Sequence, residues 1–267
     1  MRVCEWLAAG YLAYLMAVAL VRPVGTARRI WVWMGALAGI GSVVAAGKLP
    51  HTPVVAALRD WLPGAHILVA YYFTGQLFTA PMPTFEGWLQ EWDRRLLGDP
   101  VRAVARLPYA VRATLSALYS GCFVIVAAGF AVVWLATPHP DVDRFWSLVY
   151  ASEAGAFGFL PWLRARPPWV VEPTPVEPGA IHHGSLWWVR HTSIGVNTFP
   201  SGHTSGSLAV AIAVYSVWPA AGSVFFLLAA CTAAGCVSGR FHYVADIITG
   251  VALATVLAVA IRVVWPL

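Results

Sequence analysis

Charged residues are scarce in this chain. Only 11% of its 267 residues are Asp, Glu, Lys or Arg, and 59% are hydrophobic, whereas a soluble domain carries about 25% charged residues. This shortage excludes an ordinary soluble domain. A nucleic-acid-binding protein is excluded as well, because the net charge of +5 is not gathered into a basic run with interleaved aromatic residues. Anionic lipid headgroups are the expected counterpart of that charge.

Cysteine is also rare. The four cysteines, Cys4, Cys122, Cys231 and Cys236, all lie in apolar segments. Their spacing matches neither a disulfide framework nor a Cys-based metal site. We therefore expect them to be small buried side chains.

Long apolar stretches, by contrast, recur along the whole chain. Each approaches the roughly 20 residues that a helix needs to cross a bilayer. They lie at about 4–22, 30–47, 63–80, 111–136, 144–163, 202–218, 221–238 and 243–264. The first lacks a signal-peptidase site and is expected to remain as a span. The sequence predicts an all-α, polytopic integral membrane protein.

Two segments between these spans differ from the rest. Residues 84–98 have apolar side chains at helical spacing, which predicts an amphipathic helix in the membrane interface; these are Phe85, Trp88, Leu89, Trp92 and Leu96. A proline-rich loop near 164–201 joins the fifth and sixth spans. Loops of this length without regular structure are usually functional, so we expect it to be an active-site loop.

Two histidine motifs carry the chemistry. Ser201 can cap the sixth span, and Gly202 lets backbone N–H groups approach an anion beside His203. The alternative is an ordinary capped helix with an interfacial histidine. His242 and Asp246 are four residues apart, so on a helix the carboxylate would orient the ring and leave its other nitrogen free to attack phosphorus. The alternative there is a purely structural His–Asp pair.

Strict alternation of eight spans places both motifs on one face of the membrane, together with Arg166 and Arg240. Guanidinium groups match the oxygens of a phosphate and offset its charge. The alternative is that these arginines only anchor helix ends. A zinc site built from His203, His242 and Asp246 is a further alternative, although no HExxH helix supports it.

Glu153 lies in the middle of the fifth predicted span. An acid at membrane depth is a functional candidate by default. The sequence does not place it relative to the histidine motifs, and hydrogen bonding to a neighbouring helix is the alternative.

Together these motifs resemble those of the type 2 phosphatidic acid phosphatase (PAP2) superfamily. The family has a basic stretch ending in Arg-Pro, a Pro-Ser-Gly-His and an Arg-x5-His-x3-Asp, and similar strings occur here at Arg166-Pro167, at 200–203 and at His242-x3-Asp246. The resemblance implies a six-helix catalytic core over 51–267, preceded by a pair of transmembrane helices in 1–50.

The resemblance also implies roles for individual residues. His242 would attack phosphorus to form a phosphohistidine, Asp246 would orient it, and His203 would protonate the leaving oxygen. The residues expected to bind the phosphoryl group are Arg164, Arg166, Arg240, Ser201 and Gly202. No metal or other cofactor would be needed.

The family's usual arginine, six residues before the nucleophile, is replaced here by Cys236, and Arg240 stands closer. This is similar to the inositol phosphorylceramide synthase-like branch. The resemblance implies a phosphatase or phosphotransferase acting on a phosphorylated lipid. The alternatives are transfer of a phospho-headgroup between lipids, and a catalytically silent binding protein or transporter.

The resemblance further implies a plasma or inner membrane location, with the active site on the extracytoplasmic face. The positive-inside rule would make that face cytoplasmic, because most of the arginines lie there. The lipid, the acceptor and the oligomeric state are left open by the sequence.

Overall fold

The computed structural model describes residues 1–50, 52–137, 140–172, 184, 187–188 and 191–265. In this part of the chain the regular elements are all α-helices, which confirms the predicted fold class. The helices are α1 (Val3–Val21), α2 (Thr26–Lys48), α3 (Pro53–Gly75), α4 (Pro83–Leu97), α5 (Pro100–Ala105), α6 (Tyr109–Ser120), α7 (Cys122–Ala136), α8 (Val142–Gly158), α9 (Pro168–Val171), α10 (Gly202–Val217), α11 (Pro219–Ser238) and α12 (Val244–Val264).

Four of the described helices, α1, α2, α11 and α12, are long and apolar enough to cross a membrane. The predicted span at 111–136 is instead a broken pair, because α6 and α7 are bent by 59°. The break is at Gly121, whose N–H is shared between the carbonyls of Ala117 and Leu118. Hydropathy is continuous through this bend, so the sequence pattern does not reveal it.

The other three predicted spans are helices that are shorter or more polar than a typical span. α8 has 17 residues and α10 has 16, and α3 contains Arg59 and Asp60. Both charges of α3 are paired: Arg59 donates to Glu5 at 2.6 Å and Asp60 accepts from Arg2 at 2.7 Å. The described helices that meet the length and composition of a span therefore number four, or five with the bent pair, rather than eight.

α8 lies at the centre of the bundle. It packs against α1, α3, α10 and α12, and its Trp146, Tyr150 and Phe157 are buried. α10 in turn packs closely against α12. A Cβ at Gly250 of α12 would lie 2.9 Å from the carbonyl oxygen of Ser201, so only glycine permits this approach. The packing holds the beginning of α10 against the first turns of α12.

α4 occupies the position of the predicted amphipathic helix and packs against α12. Trp88 and Leu96 are exposed, as an interfacial helix requires, whereas Glu86, Leu89 and Asp93 are buried. The side that faces the protein thus carries two carboxylates, which the apolar pattern alone does not predict. Its place at a membrane interface stays a prediction, as does the division of the chain at residue 50.

Candidate active site

His242 and Asp246 lie at the beginning of α12. The helix begins at Val244 after an extended Tyr243, so His242 precedes the helix and is not in its first turn, contrary to expectation. Nδ1 of His242 nonetheless lies 3.2 Å from Oδ2 of Asp246, which also accepts the backbone N–H of Tyr243 at 2.9 Å. The carboxylate holds the buried imidazole by Nδ1, and Nε2 is left for chemistry.

A tight turn between α11 and α12 presents His242. The carbonyl of Cys236 accepts the backbone N–H of Phe241 at 2.9 Å and that of His242 at 3.1 Å. Arg240 has φ +58°, which lies in the left-handed region that side chains disfavour. The ring of Phe241 stacks on Tyr119 with centroids 4.2 Å apart. These contacts hold the turn in a conformation that the chain would not adopt alone.

His203 approaches His242 from the first turn of α10. The two ring centroids are 5.7 Å apart and the ring planes are nearly perpendicular. Ser201 caps α10 as predicted, because its hydroxyl accepts the N–H of Thr204 at 3.3 Å. Its own N–H donates to the carbonyl of Asp246 at 2.9 Å. The structure thus brings the two histidine motifs together and links them through the backbone.

Arg166 is paired with Glu86 of α4. Its backbone N–H and Nε both donate to Oε1 of Glu86, at 2.7 and 2.9 Å, and Nη2 donates to Oε2 at 2.8 Å. Burial raises the pKa of Glu86, but the hydrogen bonds and charge of Arg166 outweigh it and lower the pKa below its usual value. The guanidinium is 44% exposed. Its role in binding phosphate stays a prediction.

Arg240 is buried against α4. Nη2 donates to Oε2 of Glu172 at 2.6 Å, and Nη1 lies 3.5 Å from Oδ2 of Asp93. Its carbonyl accepts the N–H of Trp169 at 3.0 Å. Nε has no hydrogen-bond partner among the described residues. Arg240 therefore joins three segments, and its contact with phosphate stays a prediction.

Arg164 makes its hydrogen bonds away from both histidine motifs. Nε donates to the carbonyl of Ala80 at 2.6 Å and Nη1 to that of Pro161 at 3.1 Å. Burial and the nearby charge of Arg22 lower its pKa. It secures the loop after α8 to the segment before α4, and its predicted phosphate contact is not tested by these hydrogen bonds.

Asp93 is a residue of the site that sequence reasoning missed. Its Oδ1 accepts the N–H of Val244 at 2.8 Å, while Oδ2 faces Arg240. Burial raises the pKa of Asp93 to about 6, against the lowering influence of the Val244 N–H and Arg240. One feature of the sequence could have identified it: Glu86 and Asp93 are seven residues apart and therefore share one face of α4.

Asn197 is a second residue that the sequence did not single out. Its backbone N–H donates to the carbonyl of Ala165 at 3.0 Å, and its buried amide lies near Asp246. Neither atom of that amide, nor Oδ1 of Asp246, meets hydrogen-bond geometry with a described residue. Asn197 is therefore placed to support the carboxylate that orients His242.

Two cavities meet at His203. Both histidines line a small pocket of about 30 Å³, together with Thr198 and Trp169. A larger cavity of about 220 Å³ extends from His203 between α3, α7 and α8 and reaches Glu153. Tyr71, Phe157 and His203 line both. A group bound next to His242 could thus extend past His203 into apolar space.

Part of the predicted active-site loop, including His182, His183 and Arg190, lies outside the described residues. Within the described ranges, no group of three or more His, Cys, Asp or Glu side chains is arranged to hold a metal ion.

A family model described as the PAP2 superfamily matches residues 156–266. This segment runs from the end of α8 through α12 and contains His203, His242 and Asp246. The match names the superfamily and gives no support to the inositol phosphorylceramide synthase-like branch. Neither the curated proteins nor the solved structures gave a significant match to the chain. The C-terminal part of this membrane protein is thus similar to the PAP2 superfamily, which indicates phosphatase-type chemistry on phosphorylated substrates.

Proposed function

We propose that the protein is an integral-membrane phosphatase or phosphotransferase that acts on a phosphorylated lipid through a phosphohistidine. The observation that carries the proposal is the pairing of His242 with Asp246 at 3.2 Å, with the ring of His203 5.7 Å away. A neutral imidazole held at Nδ1 presents the lone pair of Nε2, which is the form that attacks phosphorus.

The reaction has two steps. Nε2 of His242 attacks phosphorus, the bond to the lipid oxygen breaks, and His203 gives its proton to that oxygen. Water or another alcohol then attacks the phosphohistidine and gives its proton to His203, which releases phosphate or a phosphorylated acceptor. Only the second step returns both histidines to their starting forms: His242 is freed of the phosphoryl group and His203 is protonated again.

Charge on the phosphoryl group is offset by donors around the pocket. The N-terminus of α10, with Ser201 and Gly202, turns the positive end of the helix dipole toward an anion bound beside it. Arg166 and Arg240 supply guanidinium groups within the same region, and Arg164 is a more distant contributor. Such preorganised donors stabilise the charge that develops in the transition state.

A lipid is the favoured substrate because apolar space continues directly from the histidine pocket. In addition, α11 and α12, the two helices on either side of His242, are long and apolar enough to span a bilayer. Transfer of the group to a second lipid alcohol is the second form of the proposal. This reaction passes through the same phosphohistidine intermediate, and only the acceptor of the phosphoryl group differs.

The proposal is tested with purified protein in detergent and a phosphatidic acid labelled with ³²P in its phosphate. Phosphate release and an acid-labile, base-stable label on the protein are expected, and both are expected to vanish in His242→Ala. His191→Ala is the matched control, because His191 stacks on Trp187 away from the pocket.

Label that persists in His242→Ala would contradict the proposed nucleophile. Failure to release phosphate from any lipid would favour the silent binding protein. Adding inositol or another alcohol separates transfer from hydrolysis.

We further propose that the site faces the extracytoplasmic side of a plasma or inner membrane, as the family resemblance implies. A reporter inserted near Gly179 is expected to give an extracytoplasmic signal. A cytoplasmic signal would favour the positive-inside assignment instead.

A further inference from the structure

Glu153 lies beside the proposed active site and has no part in the mechanism above. It belongs to α8 and is only 7% exposed. No described residue makes a hydrogen bond or ion pair with its carboxyl group. Buried polar groups are nearly always hydrogen-bonded, and a buried carboxyl without a partner is costly. Its presence here points to a partner that the described residues do not supply.

Two glycines of α10 make room for this carboxyl group. A Cβ at Gly202 would lie 3.0 Å from Oε2 of Glu153, and a Cβ at Gly206 would overlap Oε1. The carboxyl group is thus packed against the same turn of α10 that carries His203. Both Glu153 and His203 line the 220 Å³ cavity.

Most of the rest of this cavity is apolar, and the cavity opens to the side of the bundle. Its walls include Ile67 of α3, Phe123 of α7 and Trp146 of α8. Leu68 and Trp61, which also line it, are 46% and 37% exposed, so the mouth faces the surroundings of the helices. The volume exceeds that of an engineered apolar cavity of about 150 Å³ that binds benzene. A hydrocarbon chain is the occupant that suits such walls.

The position of His203 relates this cavity to the reaction. In a phosphoryl transfer the leaving oxygen is roughly opposite the attacking atom. If His242 attacks and His203 protonates the leaving oxygen, the leaving group extends past His203 and enters the cavity that contains Glu153. The first few bonds of the leaving alcohol then lie within reach of the carboxyl group.

We propose that this cavity binds the leaving alcohol of the substrate, and that Glu153 is a specificity residue that hydrogen-bonds a hydroxyl group near the phosphate ester. The inference rests on the proposed function and narrows it to phosphorylated lipids with a long chain and a neighbouring hydroxyl. A carboxylate accepts a hydrogen bond from such a hydroxyl, and a protonated carboxyl both donates and accepts.

Binding of the product alcohol tests the inference without requiring catalysis. Tritiated 1,2-dodecanediol and 1-dodecanol are titrated onto the protein in nanodiscs, with empty nanodiscs to correct for partition into lipid. The wild type is expected to prefer the diol about fivefold to tenfold, as one hydrogen bond in a buried site allows. Glu153→Gln keeps an acceptor and should retain most of this preference, whereas Glu153→Leu should lose it. An unchanged preference in Glu153→Leu overturns the proposal.

A second pair of variants leaves Glu153 intact, in case its replacement prevents folding. Ala127→Phe places a ring at the cavity mouth and should weaken binding of both alcohols at least fivefold. Val124→Phe, on the same helix but outside the cavity lining, should bind both as the wild type does. Equal binding by the two variants overturns the assignment of the cavity.

A kinetic arm compares 2-hydroxydodecyl phosphate with dodecyl phosphate. The wild type is expected to show the same preference in kcat/KM, and Glu153→Leu to lose it. If neither phosphate is hydrolysed while the diol preference depends on Glu153, the cavity assignment stands and the proposed function fails. If both are hydrolysed with the same ratio in wild type and Glu153→Leu, the function stands and the specificity role of Glu153 is overturned.

Discussion

Asp93 of α4 caps the helix that follows the proposed nucleophile: its Oδ1 accepts the backbone N–H of Val244 at 2.8 Å, although the two residues are 151 positions apart. Its other oxygen faces Arg240, the residue with left-handed backbone in the turn before His242. A single carboxylate therefore contacts the chain on both sides of His242. The amphipathic helix is part of the structure that positions the nucleophile.

Asp93→Ala is expected to lower kcat/KM at least tenfold and to lower the melting temperature. The change removes a helix cap, which costs about 1 kcal/mol, and leaves Arg240 with less compensation for its burial. Asp93→Asn keeps an acceptor for Val244 and should lose less activity. Asp99→Ala is the matched control, because Asp99 caps the short α5 on an exposed surface. Phosphate release and thermal unfolding in detergent give the comparison, and equal losses in the Asp93 and Asp99 alanine variants would contradict the prediction.

The raised pKa of Asp93 predicts a pH dependence of stability. Burial raises this pKa from 3.8 to about 6, so between these values the folded protein binds more protons than the unfolded chain. The free energy of unfolding contributed by this group is greatest below pH 4 and falls by about 3 kcal/mol as the pH rises to 6 and above.

Asp93→Asn has no titrating group at this position and serves as the reference. The melting temperature of the wild type minus that of Asp93→Asn should decrease from pH 4 to pH 6 and stay constant above pH 7. Parallel curves for the two proteins, or a relative gain of the wild type with rising pH, would show that Asp93 does not titrate in this way.

Asp246→Asn is expected to lower kcat by on the order of 100-fold or more with a small change in KM. An amide holds His242 less well in the tautomer that frees Nε2, and it does not stabilise the imidazole when charge develops, as is known for catalytic triads. Thr249→Val, one turn further along α12, removes a hydroxyl that bonds only to helix carbonyls and should leave kcat unchanged. A rise in KM with kcat unchanged would assign Asp246 to substrate binding instead.

Glu86→Gln is expected to lower the melting temperature and to raise KM for the phosphorylated substrate. Glu86 fixes the guanidinium of Arg166 through two side-chain hydrogen bonds, worth about 1 kcal/mol because the arginine is partly exposed. Since its folded pKa is lowered, this stabilisation is present above pH 4.5 and is lost as the pH falls through the folded pKa. Glu91→Gln on the exposed face of α4 is the control and should change neither quantity. An unchanged KM in Glu86→Gln would argue that Arg166 acts only as a structural link.

Local pattern was enough to predict much of this arrangement. Helices begin and end near the predicted boundaries in the C-terminal half. For example, α10 covers Gly202–Val217, and the predicted span is 202–218. The His242–Asp246 contact also forms, although an extended Tyr243 places the histidine before the helix. The bend at Gly121 and the contact of Asp93 with Val244 were not predictable, because hydropathy does not encode a bend and a local window does not reach across 151 residues.

The position of Glu153 likewise could be predicted only in part from the sequence. Its burial in α8 follows from the sequence, but its proximity to His203 depends on how α8 packs against α10. That packing depends on glycines whose significance appears only when the two helices are seen together. Residue types in the sequence thus indicated the chemistry, and packing determined which of them share a cavity.

Gly206→Ala is expected to displace Glu153 and to reproduce the loss of diol preference proposed for Glu153→Leu. A Cβ at this position would overlap Oε1 of Glu153, and overpacking of this kind costs about 1–3 kcal/mol. Gly41→Ala in α2 is the matched control, because a Cβ there has nothing within 4 Å; it should preserve both stability and preference. The measurement is diol and alcohol binding in nanodiscs beside thermal unfolding. A Gly206→Ala protein with full diol preference would show that the carboxyl group does not need its present position to select the ligand.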